Sequence, residues 1–534
     1  MSTWVLYLTD ARWTQTVTPT GVRTYLKGQI YQDDRPIAGD KLAPNLNAAN
    51  SPQELCAKLK HLNGFYAWVS NSDRELRAGV DHIRSRPLFY GQTNKTLYLS
   101  DDAEWVRKMV GDQDMNPIAR EEFQLAGYVT GQDTLFANVK QLQAGECLIA
   151  TRMDQGLRVQ THRYYRFLHA EPKTYNETKL RQALDQAAIR SIRSLIAYAE
   201  GRQIVVPLSG GYDSRLIVTL LKRLGYENIL TFTYGVSGNR ESKYSKQVAD
   251  ALGLRWHFVQ YDEALWRKVW KSSERWEYQK WASGWTSIPH VQDWLAVKTL
   301  KSQGVLASEC VFAPGHSGDF VAGSHIPIQA FEQSHFDIDN VTESLFTNHY
   351  ALAPIRNSER QKDFWEEHIR TLLPEYGRAE PCHYADAYET WDWQERQAKF
   401  IANSVRVYEF FGYEWWMPLW DREFVQFWQT VPLTLRKGRV WYVTYVNSVY
   451  SKLSATNRAR ALPNASETFL RTSLGKLPRL SVAIIRKVAR RFTKMKSLFA
   501  LEGRIDRAES SRLTKLGYSF NGVFAKEFLD RVGL

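Results

Sequence analysis

The sequence has few cysteines, and their spacing suggests neither a metal site nor a disulfide framework. Its 534 residues contain four, Cys56, Cys147, Cys310 and Cys382, which lie far apart and form no CxxC pair. This spacing excludes the common zinc-binding and redox motifs. Reduced thiols in a cytoplasmic protein are the expectation that follows.

Long apolar runs and a leader segment are also missing. No stretch approaches the roughly 18 apolar residues that cross a bilayer, and the start "MSTWVLYLTDARW" has no basic region followed by an apolar one. We therefore expect neither a spanning helix nor a signal peptide. Apolar residues make up 44% of the chain and charged residues 24%, a globular balance, and the length predicts about two or three domains.

Basic charge is concentrated towards the C-terminus. Residues 466–534 contain 15 basic and 6 acidic residues, which accounts for +9 of the net charge of +13. Residues 471–499 contain nine basic residues and no acid, with apolar positions at helical spacing, and this predicts a basic amphipathic helix. Such a helix either packs on the protein core or contacts anionic lipid head groups at the inner membrane face. No recognition motif accompanies the charge, so we expect no nucleic-acid partner.

The order of patterns predicts three regions. Residues 1–165 show short strands separated by turns, such as "RTYLKGQIY" and "GFYAWVS". Helical periodicity begins at about residue 176 with "ETKLRQALDQAAIRSIRSLIAYA", and the region it opens extends to residue 465. Residues 466–534 form the basic helical extension.

One motif carries most of the chemistry. "VVPLSGGYDS" (205–214) joins a buried strand to a helix, and two more strand patterns, "ILTFTYG" and "RWHFVQY", follow with a helix between them. This βαβαβ order predicts a parallel sheet. The turn could simply be tight and capped by an acid, but its position at a helix N-terminus favours phosphate binding.

The residue types of the turn fit a phosphate and its metal. Gly210 and Gly211 let backbone N–H groups point outwards, and the hydroxyls of Ser209 and Ser214 are further donors. Because the carboxylate of Asp213 would repel a bare phosphate, we expect it to hold a Mg²⁺ ion that bridges phosphates.

This SGGxDS turn resembles the PP-loop of ATP pyrophosphatases, and it lacks the GKT or GKS ending of a Walker loop. Among PP-loop enzymes, the chain resembles the asparagine synthetase family. The stretch "FAPGHSGDFVAG" (312–323) is similar to that family's second pyrophosphate loop, where Gly315 and Asp319 match and His316 replaces an acid. The resemblance implies that ATP and Mg²⁺ are bound, with Asp213 and Asp319 as metal ligands. It also implies nucleotide contacts from Leu208, Ser209, Gly210, Gly211, Asp213, Ser214, Tyr234 and Gly315. An ordinary glycine-rich loop is the alternative for residues 312–323.

A later segment, "YEFFGYEWWMPLWDREFVQFWQTVPLTLRKG", resembles the family's E-x-R-x-P-F-L-D segment and the helix after it. Glu414, Pro418 and Asp421 match, whereas Trp416 replaces the arginine. The resemblance implies a catalytic role for Glu414, although the match could be purely architectural. It also implies a cation near the α-phosphate, supplied by Lys437 or Arg439, and either of these could instead be a solvated cation at a helix end.

The first region resembles the class II glutamine amidotransferase domain of the same family. "KGQIY" (27–31) stands where that family has N-G-E-I-Y, and "LNGFYAWV" and "DHIRSRPLFYG" are similar to later motifs. Such a glutaminase needs a cysteine directly after the initiator methionine, but here Ser2 and Thr3 follow Met1. Lys27 also replaces the glutamine-binding asparagine, so we expect that glutamine hydrolysis has been lost.

The resemblance implies an α/β fold, with an N-terminal Ntn-like αββα sandwich and a parallel-sheet PP-loop domain. It implies a ligase that adenylates a carboxylate and joins it to ammonia or an amine. The substrate would be a small molecule, a glycan or a peptide carboxylate, and aromatic-rich "EWWMPLWD" favours uronic acids of surface polysaccharides through sugar stacking. Two alternatives remain open. One is an intramolecular cyclase of the lasso-peptide or β-lactam synthetase type, and the other is an ATP-binding pseudo-enzyme.

Overall fold

The computed structural model describes residues 3–32, 35–332, 336–355, 358–376, 380, 382–454 and 512–533. Two expectations therefore lie outside the described residues: the basic amphipathic helix over 471–499 and the placement of Met1 and Ser2. Among the helices that are described, none has both the length and the apolar character needed to cross a bilayer.

The first region is built from two facing sheets with helices on their outer sides. Its strands are β1 (Thr3–Tyr7), β2 (Thr14–Val17), β3 (Arg23–Gln32), β4 (Arg35–Ile37), β5 (Asn63–Asn71), β6 (Glu75–Val80), β7 (Phe89–Gln92), β8 (Thr96–Ser100), β9 (Lys140–Gln141), β10 (Glu146–Arg152) and β11 (Leu157–Arg163). Its helices are α1 (Gly39–Asn47), α2 (Pro52–Lys60), α3 (Ala103–Val110) and α4 (Pro117–Ala126).

One sheet has the order β1-β8-β7-β9, and the other has the order β11-β10-β6-β5-β3-β2 with β4 paired to β3. Strand β5 shows why the two sheets pack together. Ala67 and Val69 belong to the core between the sheets, whereas Tyr66 and Trp68 belong to the core under the helices, as the two-residue period of a strand requires. The αββα sandwich is therefore confirmed. The sequence patterns missed β2, β4, β11 and the four short helices.

The second region is built on the parallel sheet that the βαβαβ pattern predicts. Its strands are β12 (Ile204–Pro207), β13 (Ile229–Gly235), β14 (Arg255–Gln260), β15 (Val311–Phe312) and β16 (Glu414–Trp415), in the order β14-β13-β12-β15-β16. All four neighbouring pairs are parallel. The central strand β12 carries the SGGxDS turn at its carboxyl end.

Helices surround this sheet. They are α5 (Glu177–Ala199), α6 (Tyr212–Arg223), α7 (Arg240–Ala251), α8 (Glu263–Trp270), α9 (Ser273–Ser283), α10 (Gln292–Ser302), α11 (Gly318–Val321), α12 (Ile338–His349), α13 (Ser358–Leu372), α14 (His383–Asp392), α15 (Arg406–Phe410), α16 (Arg422–Gln429), α17 (Leu433–Arg436) and α18 (Val440–Leu453). A π-helix over Trp393–Ile401 continues α14, and 3₁₀ turns lie at Ile328–Phe331, Ala402–Val405, Pro418–Trp420 and Lys437–Arg439.

The last helix, α19 (Phe520–Val532), folds back onto both domains. Phe528 stacks on Phe123 of the first domain at 5.7 Å between ring centroids. Glu527 accepts a hydrogen bond of 2.6 Å from the indole N–H of Trp270 in the second domain. The end of the expected extension is therefore part of the folded body.

Candidate nucleotide site

The SGGxDS turn leads from β12 into α6 as the sequence predicts. Gly210 has a φ of +77°, and a Cβ there would lie 2.7 Å from the Cβ of Tyr244, so only glycine fits. Gly211 is the N-cap of α6 and supplies no side-chain cap. The backbone N–H groups at the start of α6 therefore remain available to an anion.

The other residues of the turn are two serines and a buried leucine. The Oγ of Ser209 accepts a hydrogen bond of 3.2 Å from the N–H of Gly211. The Oγ of Ser214 is buried without a hydrogen-bond partner, which is unusual for a buried hydroxyl and fits a ligand at this position. Leu208 is buried beneath the turn, and its N–H donates to the carbonyl of Phe232 on β13 at 2.7 Å.

The second glycine-rich loop lies directly against the first. A Cβ at Gly315 would come within 2.7 Å of the backbone nitrogen of Ser214, and a Cβ at Gly318 within 2.7 Å of the Oδ1 of Asp213. The loop continues into α11, which carries Asp319 in its first turn. The structure thus brings together the two carboxylates, Asp213 and Asp319, that the sequence places more than a hundred residues apart.

The electrostatics of this pair of carboxylates favour a bound cation. Burial and the neighbouring Asp319 raise the pKa of Asp213 to about 7, although Tyr442 donates a hydrogen bond of 2.8 Å to its Oδ1. Burial acts in the same direction on Asp319, but His325 and Arg439 lower the pKa of that carboxyl to about 2. Two close carboxylates with hard oxygen donors fit a Mg²⁺ ion, whose charge would stabilise both anions.

His325 links Asp319 to a third carboxylate that the sequence did not reveal. Its Nδ1 lies 2.6 Å from the Oδ2 of Asp392, and its Nε2 lies 3.6 Å from the Oδ2 of Asp319. Burial opposes the charged imidazole, but these two carboxylates raise the pKa of His325 to about 9. His325 is therefore a cation beside the nucleotide site at neutral pH. No sequence signal could have found Asp392, because it comes from the end of α14.

The structure separates the two candidate cations. Arg439 is buried, its guanidinium lies 5.7 Å from the ring centroid of Tyr212 in the first turn of α6, and its charge acts on both Asp213 and Asp319. Its φ of +53° is uncommon for a non-glycine residue. Lys437 is exposed and lies over the ring of Phe331. The geometry favours Arg439.

Glu414 lies in a different environment. Its carboxylate accepts a hydrogen bond of 2.6 Å from the hydroxyl of Tyr198 and lies 3.5 Å from Arg86 and 3.4 Å from Arg12 of the first domain. These contacts pair it across the domain interface instead of with Asp213 or Asp319. We therefore do not assign it to catalysis, since these contacts favour the architectural interpretation of this segment.

The tryptophans of "EWWMPLWD" do not form a sugar-binding surface. Trp415, Trp416 and Trp420 are each 1% exposed or less. Trp416 packs edge-to-face against Phe65 of the first domain at 4.7 Å. Because their rings are enclosed between the domains, the sugar-stacking interpretation is wrong.

Tyr234 and His316 lie in polar surroundings at the carboxyl ends of β13 and β15. The hydroxyl of Tyr234 donates to Asp293, which also accepts a hydrogen bond of 2.9 Å from Tyr408. The Nε2 of His316 lies 2.7 Å from the Oγ of Ser404. Burial lowers the pKa of His316 to about 4, so it is neutral and cannot replace the family's acid by charge.

In the first domain, Lys27, which the resemblance aligns with the glutamine-binding asparagine, is part of an ion pair. It is buried, and its Nζ lies 2.7 Å from the Oδ2 of Asp10 and 3.9 Å from the Oδ2 of Asp101. The neighbouring Gly28 has a φ of +92° and no room for a Cβ, which would lie 2.0 Å from the carbonyl oxygen of Phe65.

Comparison with known proteins supports the division into two domains. Residues 179–439 match the asparagine synthase family, and residues 54–165 match the glutamine amidotransferase domain. The chain is thus a front amidotransferase-like domain joined to a synthetase domain with a PP-loop. It belongs to the asparagine synthetase family.

Two curated proteins are similar over shorter stretches. The tRNA-specific 2-thiouridylase MnmA of Beijerinckia indica subsp. indica is 34% identical over 101 residues, which is 17% of this chain and 22% of that protein. A probable glutamine-hydrolysing asparagine synthetase of Acanthamoeba polyphaga mimivirus is 33% identical over 102 residues, 18% of each chain. The chain thus spans about a fifth of the length of these relatives.

Two solved structures also match. The ammonia-dependent NAD synthetase of Campylobacter jejuni has a TM-score of 0.21 and 14% identity, over 38% of this chain and 100% of that one. The glutamine phosphoribosylpyrophosphate amidotransferase of B. subtilis has a TM-score of 0.20 and 12% identity, over 57% of this chain and 63% of that one.

Proposed function

We propose that the protein is an ATP-dependent ligase that adenylates a carboxylate and transfers the acyl group to ammonia or an amine. The observation that carries this proposal is the contact between the two glycine-rich loops, which brings Asp213 and Asp319 together at the N-terminus of α6. An ATP-binding pseudo-enzyme would hold Mg²⁺ with the same pair, so pyrophosphate release is the property that distinguishes it from the ligase.

The residues of the site suggest how the first step proceeds. The N–H groups at the start of α6 hold the phosphates of ATP, and Asp213 and Asp319 would hold Mg²⁺. When bound, the ion supplies charge neutralisation of the departing pyrophosphate. A carboxylate oxygen of the substrate attacks the α-phosphorus, the bond between the α-phosphorus and the bridging oxygen breaks, and acyl-AMP forms. Arg439 stabilises the negative charge that develops at the α-phosphate.

In the second step an amine nitrogen attacks the acyl carbon, AMP leaves and the nitrogen loses a proton. We propose that the amine is not supplied by glutamine. The buried pair of Lys27 and Asp10 supports this proposal, because a charged ammonium in the former amide site would have to lose its partner before glutamine could bind.

For the substrate we propose a uronic acid of a surface polysaccharide, handled in the cytoplasm. The basic stretch 471–499 supports it, because lipid-linked glycans are assembled at an anionic membrane face. An aspartyl group of a peptide, closed into a ring, is the second candidate.

The experiment is a pyrophosphate-release assay with ATP, Mg²⁺ and ammonium, using UDP-glucuronate, D-glucuronate, L-aspartate and an aspartyl peptide as carboxylates. We expect AMP and pyrophosphate in equal amounts with a uronate. Release with the peptide alone would establish the cyclase instead, and ATP binding without release for any carboxylate would establish the pseudo-enzyme. With glutamine in place of ammonium we expect no glutamate, and glutamate production by pure protein would refute the loss of glutaminase activity.

We also propose that residues 471–499 bind anionic membrane. Changing Arg486, Lys487, Arg490, Arg491 and Lys494 to glutamine should weaken co-sedimentation with phosphatidylglycerol vesicles more than tenfold, since each cation near the surface contributes about 1 kcal/mol. The control changes five exposed lysines elsewhere, Lys41, Lys60, Lys95, Lys108 and Lys243, and should bind normally. Equal binding of both variants would refute the proposal. Substitution is preferable to truncation, because α19 is part of the folded body.

A further inference from the structure

The π-helix over Trp393–Ile401 is hydrogen-bonded to the second glycine-rich loop. Gln397 on the π-helix accepts a hydrogen bond of 2.7 Å from the hydroxyl of Ser317. Asp392, at the end of α14, pairs with His325 and accepts a hydrogen bond of 3.1 Å from Gln397. π-Helical turns are rare and occur frequently at functional sites. This one directs several polar side chains towards Asp319.

Arg396 is the unusual residue of this segment. It is half-buried, yet within the described ranges it has no hydrogen bond, ion pair or ring contact. Its guanidinium nitrogens are accessible to solvent. Neighbouring arginines are paired. Arg436, for example, is held by both carboxylate oxygens of Glu389. A partly buried guanidinium that is accessible and unpaired is suited to an anionic ligand, which it can bind through two parallel hydrogen bonds.

The position of Arg396 distinguishes it from the cation of the nucleotide site. Burial acts to raise the pKa of Asp319 and of Asp392, and the charge of Arg396 acts to lower the pKa of both. Arg439 acts instead on Asp213 and Asp319. The charges of both arginines thus act on Asp319, that of Arg439 together with Asp213 and that of Arg396 together with Asp392.

The charge of Arg396 also acts on uncharged polar groups, namely His349, Tyr128 and Tyr388. The pKa of His349 is lowered to about 4, first by burial and also by the charge of Arg396, so the imidazole is neutral. Its Nδ1 lies 3.1 Å from the hydroxyl of Tyr128, and its Nε2 lies 3.2 Å from the hydroxyl of Tyr388. Arg396 thus has neutral hydrogen-bonding groups within range as well as the carboxylates of Asp319 and Asp392, and the neutral groups suit a polar molecule that carries one anionic group.

We propose that Arg396 binds the carboxylate of the substrate. The proposal rests on the proposed function, because it names the residue that recognises the acid to be adenylated. Arg396 belongs to the π-helix whose next residue, Gln397, is hydrogen-bonded to Ser317 of the second glycine-rich loop, so a carboxylate held by Arg396 would lie near the loop that carries Asp319. Arg396 is then a substrate-binding residue, and Arg439 is its counterpart for the nucleotide.

The test compares ligand binding by calorimetry in wild type, Arg396→Gln and Arg396→Lys, with D-glucuronate as the probe and D-glucose as its uncharged control. We expect D-glucuronate binding to weaken at least tenfold in Arg396→Gln and less in Arg396→Lys, and D-glucose to bind weakly to all three. The affinity for ATP with Mg²⁺ should stay within twofold. Because Arg396 makes no hydrogen bond or ion pair with the described residues, the unfolding midpoint should change little, and Arg360→Gln, at an exposed arginine on α13, should behave as wild type.

Three results would overturn the proposal. The first is unchanged D-glucuronate binding in Arg396→Gln. The second is a loss that falls on ATP or on Mg-pyrophosphate, which would place Arg396 on the nucleotide side. The third is a wild-type protein that binds neither D-glucuronate nor L-aspartate. The proposed function can fail separately. If binding depends on Arg396 but no carboxylate supports pyrophosphate release, the binding role of Arg396 is retained and the ligase activity is refuted.

Discussion

Replacing Asp213 with asparagine is expected to abolish pyrophosphate release while leaving the protein folded. Asp213 is one of the two carboxylates that would hold Mg²⁺, and a metal at a transferring phosphate contributes several kcal/mol to the transition state. Losing it should lower the rate by about three orders of magnitude. The measurement is pyrophosphate release from ATP with the best carboxylate of the panel, at saturating Mg²⁺.

The stability of the Asp213→Asn protein, unlike its activity, should not fall. The pKa of Asp213 rises from an ordinary 3.8 to about 7 in the folded protein, first because of burial and then because of Asp319. A carboxyl whose pKa is raised by folding destabilises the fold once it ionises. The penalty is absent below pH 3.8, grows between pH 3.8 and 7, and is complete above pH 7. Without Mg²⁺ at pH 8, Asp213→Asn should therefore unfold at a temperature no lower than wild type.

The matched control keeps the carboxylate and removes only its hydrogen bond. Tyr442→Phe deletes the hydroxyl that donates to Asp213, and we expect a loss of about tenfold, in line with one hydrogen bond to a charged group. Equal losses in both variants would indicate that Asp213 acts only through its contact with Tyr442. Full activity in Asp213→Asn would refute the metal-binding role.

The nucleotide turn was predictable because its signals are local. A β-branched apolar strand, two glycines and a helix start lie within twenty residues, and each signal has its own physical cause. Asp319 was found because its loop resembles the second pyrophosphate loop of the asparagine synthetase family. His325, Asp392 and Arg396 have no such pattern. They meet only because α14 and its π-helix pack against the second loop, and a single sequence does not encode this contact in any short motif.

For Glu414 and the tryptophans, a sequence motif is present, but it does not predict the direction in which the side chains point. Strand β16 is only two residues long and lies at the edge of the sheet. Glu414 there faces Arg86 of the front domain instead of the phosphates, and Trp415 and Trp416 are enclosed with it. The departure at Lys27 led to the prediction that glutamine hydrolysis is lost, but it did not identify the partner of Lys27. Asp10 comes from "YLTDAR", which has no recognisable motif.

The second large effect is expected at Glu409, the centre of the charge cluster between the domains. It is fully buried, and its carboxylate lies 3.0 Å from Arg86 of the front domain and 2.6 Å from Arg406 of its own helix. The indole N–H of Trp415 also donates to it at 2.9 Å. Burial opposes its ionisation, but Arg406, Lys27 and Arg86 together lower the pKa of Glu409 to about 2.

Changing Glu409 to glutamine should therefore destabilise the protein by about 3–5 kcal/mol, because it leaves buried cations without their anion. The measurement is the free energy of unfolding and the thermal midpoint at pH 7. The direction of the pH dependence follows from the lowered pKa of Glu409. The stabilisation is complete above the ordinary pKa of 4.5 and disappears as the pH falls towards 2, so the difference between the variants should shrink on acidification.

Asp250→Asn is the control, since it removes one partner of an exposed pair with Lys246 and should leave the midpoint nearly unchanged. A small effect of Glu409→Gln at pH 7 would mean that water reaches the cluster and that the domains do not depend on it. A large effect would show what the front domain contributes to the stability of the whole. Its arginines neutralise Glu409 directly behind β16, at the edge of the sheet whose other strands carry the nucleotide loops, so the front domain would act as a structural support for the synthetase domain.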